Sequence, residues 1–579
     1  HRPHHGTAPA SFAQERLWFV DRMEGGGAVY HIPNAQLVSG RVNPDAMRRA
    51  VEEVVRRHET LRTALPEVDG MPVQRISPPG RVEMPFIDLS HLPESERDAE
   101  AKRLAERSAN EPFDMEAGPL FRASLVRLAD DAHLLLVNLH HAIGDGWSMR
   151  VLLGEISTLH AAFRRGEPSP LAPLPVQYAD YAAWQREWLA GPVLEAQLGY
   201  WRGRLAGAPP VLELPTDRPR PEVQSHRGAS EGWMIPPDVA ARVAELARRE
   251  GATVFMVLLA ALDVVLARWS GQEDVVIGTP VAGRTRSELE GLIGLFLNSL
   301  ALRADLSGDP TFRELLGRVR ETTLEAYAHQ DLPFERILEE LAPERSLSHS
   351  PLFQVMLNLS NFVEGEVSLP GLEVQGIGGA GDLASKFDLT LYAGESPDGI
   401  FLHLVYNTAL FDAPRVRSML AQLTGVLRQA AEDADRPIHT YSLLTDGARA
   451  LLPDPAAPLS AEWRGSVPAI FARHAARTPD AVAVEDPLEV WRYAELDRES
   501  SRIAQRLMAD GVRPGDVVAI LGHRSAALVR ALLGTMKAGG AFLILDPAYP
   551  PTRLAEYVRI ARPAAAASAE VITSSRRGE

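Results

Sequence analysis

Apolar residues recur along this chain in two periods. Met47, Val51, Val54 and Val55 fall on one stripe at helical spacing, and Asn43-Pro44-Asp45 supplies a start signal. Residues 46–58 are therefore predicted to be a helix. Residues 120–127 and 133–140 are short apolar runs with Ala129-Asp130-Asp131 between them, the pattern of two strands joined by a turn. Helices are also expected at 11–23, 152–164, 178–189, 237–249 and 253–269, and strands at 274–278, 299–305, 353–359 and 402–406. A crossing that contains Pro168, Pro170, Pro173 and Pro175 divides this region. Both sides share a mixed α/β style, consistent with two similar halves that meet at a cleft.

Past a Pro/Ala-rich stretch at 446–464, alanine-rich helices and strands alternate: 467–476, 494–510, 517–521, 525–537 and 542–545. That order predicts part of a parallel sheet. The organisation expected is a tag-like or disordered tail at 1–7, a first lobe at 8–175, a second at 176–440, a linker at 441–465 and an incomplete α/β unit at 466–579. A chain of 579 residues is too long for one core. The most apolar run, 254–269, carries Asp263 and reads as a buried helix, so no membrane partner is expected. The polar start, His1 to Gly6, is no signal peptide, and its three histidines read as a tail. A net charge of -16 argues against a nucleic-acid or anionic-membrane surface. The absence of cysteine removes disulfides, thiolate metal sites and a cysteine nucleophile, and suits a cytoplasmic setting.

Chemistry concentrates in Leu139-His140-His141-Ala142-Ile143-Gly144-Asp145-Gly146-Trp147-Ser148. Side chains alternate along a strand. A strand running through the pair would set His141 with Leu135, Val137 and Leu139, and His140 with Leu134, Leu136 and Asn138. Rings on opposite faces cannot grip one metal, so none is expected. One ring is expected to be structural and the other to face a cleft. Asp145 can orient the backbone or pair with an arginine, and Gly146 permits a tight turn.

These residues resemble the HHxxxDG active-site motif of condensation domains of nonribosomal peptide synthetases, relatives of chloramphenicol acetyltransferase. Six more segments are similar to that family's motifs, in order. They are Ser11-Phe12-Ala13-Gln14-Glu15-Arg16-Leu17-Trp18, Arg57-His58-Glu59-Thr60-Leu61-Arg62-Thr63 and Tyr178-Ala179-Asp180-Tyr181-Ala182-Ala183-Trp184. Ile293-Gly294-Leu295-Phe296-Leu297-Asn298-Ser299, His329-Gln330-Asp331-Leu332-Pro333-Phe334-Glu335 and Arg345 through Pro351-Leu352 follow. Trp491-Arg492-Tyr493-Ala494-Glu495-Leu496, Met536-Lys537-Ala538-Gly539-Gly540-Ala541-Phe542 and Leu545-Asp546-Pro547-Ala548-Tyr549-Pro550 look like the opening motifs of an adenylation domain. The later motifs of such a domain are not found before Glu579, so this part is expected to be a truncated front portion unable to make an aminoacyl-adenylate.

The resemblance implies an α/β fold of two chloramphenicol-acetyltransferase-like lobes, a V-shaped pseudo-dimer with a central tunnel, then the incomplete adenylation subdomain. It implies peptide-bond formation between a donor aminoacyl or peptidyl thioester and the amine of an acceptor aminoacyl thioester. Each rides on the 4'-phosphopantetheine arm of a carrier domain. No cofactor is expected on this chain itself. Upstream donor and downstream acceptor carriers, with the rest of the adenylation domain, are the implied partners. His141 is the implied functional imidazole, with His140, Asp145 and Gly146 completing the catalytic group; the Gly146 N–H would polarise the donor carbonyl. Arg284, in Gly283-Arg284-Thr285, is the expected partner of Asp145, and Arg62 a further structural support. Trp147, Ser148, Asn298 and Ser299 are candidate tunnel-lining residues.

An unperturbed imidazole titrates near about 6.5 and an α-amine near about 7.7–8.0, so freeing the amine near pH 7 costs only ~1 kcal/mol. General-base assistance gives about 10²–10⁴-fold, whereas alignment of two tethered reactants supplies up to ~7–11 kcal/mol. Positioning is therefore expected to outweigh base catalysis. A coenzyme A-dependent acyltransferase also uses HxxxDG, but the adenylation-like segment sets this chain in an assembly line. Intact His141 and Asp145 disfavour a non-catalytic carrier-docking module. An epimerisation domain continues past its glycine with Val-Ser-Trp, where this chain has Trp147-Ser148-Met149. Cyclisation variants replace the histidines with aspartates. The Trp147-Ser148 continuation and the segment 178–184 lean to an L-configured donor and leave a D-configured one open.

Overall fold

The computed structural model describes residues 6–24, 27–341, 346–359, 372–376, 384–454, 456 and 463–568. The histidine-rich start, Arg345, part of the expected linker and the final residues thus lie outside the described residues. The chain divides into two compact units, His1–Leu452 and Pro453–Glu579.

Two large sheets organise the first unit, beside a small one of Gly6–Pro9, Thr63–Ala64, Glu67–Val68 and Met71–Ile76. The strands of the large sheets are β1 (His31–Ser39), β2 (Phe86–Asp88), β3 (Phe121–Ala129), β4 (Ala132–His140), β5 (Gly228–Ile235), β6 (Asp274–Val281), β7 (Asn298–Asp305), β8 (Val355–Leu359), β9 (Glu373–Gly376), β10 (Leu389–Ser396) and β11 (Gly399–Asn407). One sheet has the order β9-β1-β4-β3-β2, the other β7-β6-β8-β10-β11-β5. The β3–β4 hairpin is antiparallel, and β1 flanks β4 on its other edge, with His31 opposite His140. β4 is a continuous apolar run because both of its faces are covered. Leu135, Val137 and Leu139 enter the main core of the first lobe, while Leu134 and Leu136 pack with Leu104 of an outer helix.

Four helices dress this sheet: α1 (Phe12–Glu24), α2 (Pro44–Arg57), α3 (Glu94–Asn110) and α4 (Gly146–Arg164). α2 begins where the sequence signals it, with Asn43 Oδ1 accepting from Ala46 N at 3.0 Å and proline in the first turn. Met47, Val51 and Val54 form its buried stripe.

The lobes are not sequential blocks, which corrects the boundary expected at 175. Tyr178, at the head of α5 (Tyr178–Trp188), is buried in the first lobe's core. Leu289, Leu292, Ile293, Leu295 and Phe296, from the connection between β6 and β7, are buried there too. β9 then extends the first sheet, pairing Glu373 with Ser39 through Gly376 with Gln36. The second half of the unit thus contributes a helix, a core segment and an edge strand to the first. Two glycines make the crossing possible. At Gly283 φ is +63°, and a Cβ would lie 2.0 Å from Phe296 O; at Gly294 a Cβ would lie 2.0 Å from the Tyr178 ring. The second core ends later than expected as well, since Tyr441 is only 1% exposed within it.

Helix α6 (Val254–Ser270) runs through that second core with every residue from Phe255 to Leu266 buried, and among the described residues no single helix is long and apolar enough to cross a membrane. Asp263 sits inside it, 1% exposed, with neither carboxylate oxygen hydrogen-bonded. Burial alone pushes its pKa well above the usual carboxylate range.

The second unit has its own parallel sheet, with Val517–Leu521 between Ala541–Leu545 and Ala565–Ser568. Helices Tyr493–Ala509 and Ala526–Lys537 are tied together by Lys537 Nζ, which donates to Asp497 Oδ1 at 2.8 Å and to Ser500 Oγ at 2.8 Å.

A protonated Asp263 loses its proton only on unfolding, so it makes the folded state less stable as pH rises above 3.8. Asp263→Asn, neutral at every pH, is expected to raise the midpoint of urea unfolding at pH 8, with the gain shrinking toward pH 4. Urea titrations of the two proteins at both pH values check this.

Candidate active site

β4 ends at His140, and His141 opens a single 3-10 turn, His141–Ile143, that leads through Gly144 into α4. The face assigned to His141 by strand alternation is therefore corrected: alternation stops at His140, and the chain turn separates the two rings. His140 Nδ1 accepts from Ala142 N at 3.1 Å. On the other side of the same turn, Gln14 Nε2 donates to Ala142 O at 3.0 Å. Gln14 is wholly buried in α1, and its Oε1 accepts from Ser11 N at 3.1 Å. Ala142 is thus held by both its N–H and its carbonyl, which fixes the turn that carries His141.

Both imidazoles are driven to the neutral state. Burial first, then the His31, His141 and Lys386 charges, push the His140 pKa down to about 3. Burial and then Lys386 push His141 down to about 3 as well, with Arg16 adding to the effect. The carbonyls of His141 and Gly144 act the other way on His141. Its Nδ1 is buried and makes no hydrogen bond of normal geometry, while the residue as a whole stays partly exposed.

Asp145 is the N-cap of α4. Its Oδ1 accepts from Ser148 N at 2.8 Å and from Arg284 Nη2 at 3.3 Å, and its Oδ2 accepts from Phe296 N at 3.1 Å. The two charged side chains are 2% and 1% exposed. Arg284 Nη1 donates to Leu292 O at 2.7 Å and also to Leu289 O, and its guanidinium lies 4.2 Å over the Phe296 ring. Burial lowers the Arg284 pKa while Asp145 raises it. Ser148 Oγ is 2.8 Å from both Asp145 Oδ1 and Gly294 O, and accepts from Gly294 N at 3.1 Å and Arg284 Nη2 at 3.0 Å. Asp145 and Ser148 thereby grip residues 284–296 as that segment crosses into the first lobe.

Three expectations change. Gly146 is not a turn glycine: it is the first residue of α4, exposed, with no positive φ and no atom within 4 Å of the place a Cβ would take. Ser148 lines no tunnel, because it is fully buried in the network just described. Arg62 lies apart, donating to Ser77 O and to Glu59 Oε1 at 3.4 Å, with no described bond to Asp145 or His141. Trp147 is half-buried and donates from Nε1 to Glu290 O at 2.8 Å, a further tie to the crossing segment. Asn298 Nδ2 donates to Gln330 O at 2.8 Å and Leu332 O at 2.7 Å, and lines a recess with Tyr181, Trp184, Trp188 and Asp331. Ser299 pairs with Pro280 between β6 and β7.

Sequence reasoning gave no role to Gln14 or to His58. His58 Nδ1 accepts from Ile293 N at 3.3 Å, and its Nε2 lies 3.0 Å from Glu155 Oε2. Both residues sit in matched motifs, which was the available signal. Among the described residues no three His, Asp or Glu side chains gather as a metal site.

Arg284→Met would strand the Asp145 carboxylate in a dry interface. It is expected to cost about 3–5 kcal/mol of folding stability, read from denaturant unfolding of the first unit's transition.

Residues 4–452 match the family described as Condensation domain, and residues 471–575 match AMP-binding enzyme. The chain is 45% identical over 559 residues to one of the linear gramicidin synthase subunits of Brevibacillus parabrevis, an alignment that covers 96% of this chain and 7% of that protein. It is 42% identical over 566 residues to phosphinothricin tripeptide synthetase PhsB of Streptomyces viridochromogenes, covering 96% of this chain and 47% of that protein. The chain thus spans only a small part of the gramicidin synthase subunits and under half of PhsB. Among solved structures, the X-domain from teicoplanin biosynthesis matches with a TM-score of 0.69 and 32% identity, over 76% of this chain and 98% of that one. A four-domain nonribosomal peptide synthetase, solved in its holo form with AMP and glycine, matches with a TM-score of 0.73 and 26% identity, over 97% of this chain and 43% of that one. With most of its length matched to one family and synthetase subunits as its relatives, the chain belongs to the condensation-domain family of nonribosomal peptide synthetases.

Proposed function

We propose that the first unit joins two carrier-tethered substrates. The amine of an acceptor aminoacyl thioester attacks the carbonyl of a donor acyl thioester; the C–N bond forms, the C–S bond breaks, and the amine proton leaves with the upstream thiol. The observation that carries this reading is a partly exposed His141 on a turn fixed from both sides, beside the N-terminus of α4. A conjugate acid with a pKa of about 3 makes His141 a poor acceptor for an ammonium proton. Its role in this reading is to take a hydrogen bond from an amine that is already neutral, and to pass on the amine proton once attack has made that nitrogen acidic.

The Gly146 N–H is the second working group. It stands at the positive end of α4 and makes no described hydrogen bond, so it is available to the developing oxyanion. The open space at this position supports close approach by a substrate. The phosphopantetheine arms belong to the substrates, and two carrier domains and the remainder of an adenylation domain are the proposed partners, in the cytoplasm. A second reading, recruitment without chemistry, draws on the 32% likeness to the X-domain from teicoplanin biosynthesis, which is also solved in complex with OxyB.

Separately loaded donor and acceptor carriers, mixed with this chain and analysed by mass spectrometry, are expected to yield the amide on the acceptor arm. Carrier binding without amide for any pair would favour recruitment. Gly146→Ala keeps the backbone N–H but puts a methyl into the open approach space, so it is expected to keep the circular dichroism and Tm of the parent while misplacing the substrate and slowing amide formation by about tenfold or more. The acid limb of the rate should follow the acceptor: an amine with a pKa lower by about one unit should move the limb down by as much. A limb fixed near 6.5 for every acceptor would assign it to His141 instead.

A further inference from the structure

We infer that His31 is a positioning residue of this site, acting through His140 on the turn that carries His141. Only the kinetic arm of its test rests on the condensation reading. The register of β1 and β4 puts His31 opposite His140, with ring centroids 6.1 Å apart and planes at 70°. Phe113 stands edge-on to both rings, at 4.9 Å and 6.2 Å, and the Arg122 guanidinium covers Phe113 at 4.0 Å.

Each histidine has one nitrogen committed, and that commitment fixes its tautomer. His31 Nδ1 is 2.8 Å from the carbonyl of Ala109 in the last turn of α3, so Nδ1 carries the proton and Nε2 a lone pair. His140 Nδ1 accepts from Ala142 N, so its proton is on Nε2. Both Nε2 atoms are buried and unbonded within the described protein. One is a donor and the other an acceptor, on rings whose centroids are 6.1 Å apart beside Phe113. Bridged by one water, they would complete a line from Ala109 O through both imidazoles to Ala142 N.

The line explains why a histidine is useful opposite His140. If His140 shifted its proton to Nδ1, it would lose the Ala142 N–H bond and loosen one side of the turn. The His31 lone pair favours the Nε2–H form, the one tautomer compatible with that bond. Burial lowers the pKa of both rings, so each stays neutral in the physiological range.

In the intact protein, ¹⁵N correlation spectra should show His140 as a single Nε2–H tautomer and His31 as Nδ1–H. The opposite or mixed tautomer at either ring overturns the inference. His31→Leu should convert His140 to a tautomer mixture and lower kcat by about tenfold with the acceptor KM little changed. His31→Gln, which keeps an acceptor oxygen, should restore most of both. A Leu variant with the parent tautomer and kcat, or a Gln variant as impaired as Leu, contradicts the inference. If the parent chain forms no amide at all, the condensation reading fails, while the spectra of the parent still decide the role of His31.

Discussion

A carboxylate and a guanidinium, both almost without solvent contact, hold the two halves of the first unit together at Asp145 and Arg284. Taking two such charges out of water is costly, and their attraction offsets that only when the remaining donors and acceptors are also satisfied. Here Asp145 accepts from Ser148, Phe296 and Arg284, while Arg284 donates to Leu289 and Leu292 as well. The network does two jobs at once. It caps α4, which sets the direction of the helix N-terminus beside His141, and it locks the crossing segment into the first lobe's core.

The turn between β4 and α4 inherits its precision from its two neighbours. His140 and Gln14 take the two polar groups of Ala142, and α1 supplies Gln14 from 128 residues earlier in the chain. Burial then decides the chemistry. Near Lys386 and Arg16, and largely out of water, an imidazolium is disfavoured, so the site offers a neutral ring where free histidine would be partly charged at pH 6.5. A neutral acceptor suits the proposed reaction, in which the amine needs placement more than deprotonation. In the proposed reaction the positive end of α4 would complement it by favouring negative charge on the oxygen of the attacked carbonyl.

Much of this was legible in the residues, and the misses have physical causes. The helices and the β3–β4 hairpin follow from period and caps, and β4 reads as a double-faced buried run. Where β4 stops was not legible, because His140 and His141 look alike in any pattern and only the Ala142 contacts end the strand. Asp145-Gly146 has the composition of a turn, yet Asp145 caps and Gly146 begins a helix. Glycine there is dictated by neither φ nor crowding, so the fold gives no reason for it. Ser148 reads either way in the sequence, because a hydroxyl near a site can line it or brace it, and the answer depends on Gly294 and Arg284, far away in sequence. The lobe boundary failed for a similar reason: Leu289 to Phe296 has no regular period, and its burial is decided by a core on the other side of the unit.

The central claim is that His141 works as a neutral, fixed ring. A ¹⁵N titration of its imidazole in the intact chain, assigned by comparison with His141→Ala, tests it most directly. Chemical shifts of a neutral ring, unchanged from pH 8 to pH 5, are expected. A ring that takes up a proton with a midpoint near 6.5 would contradict it and return His141 to the role of an ordinary general base.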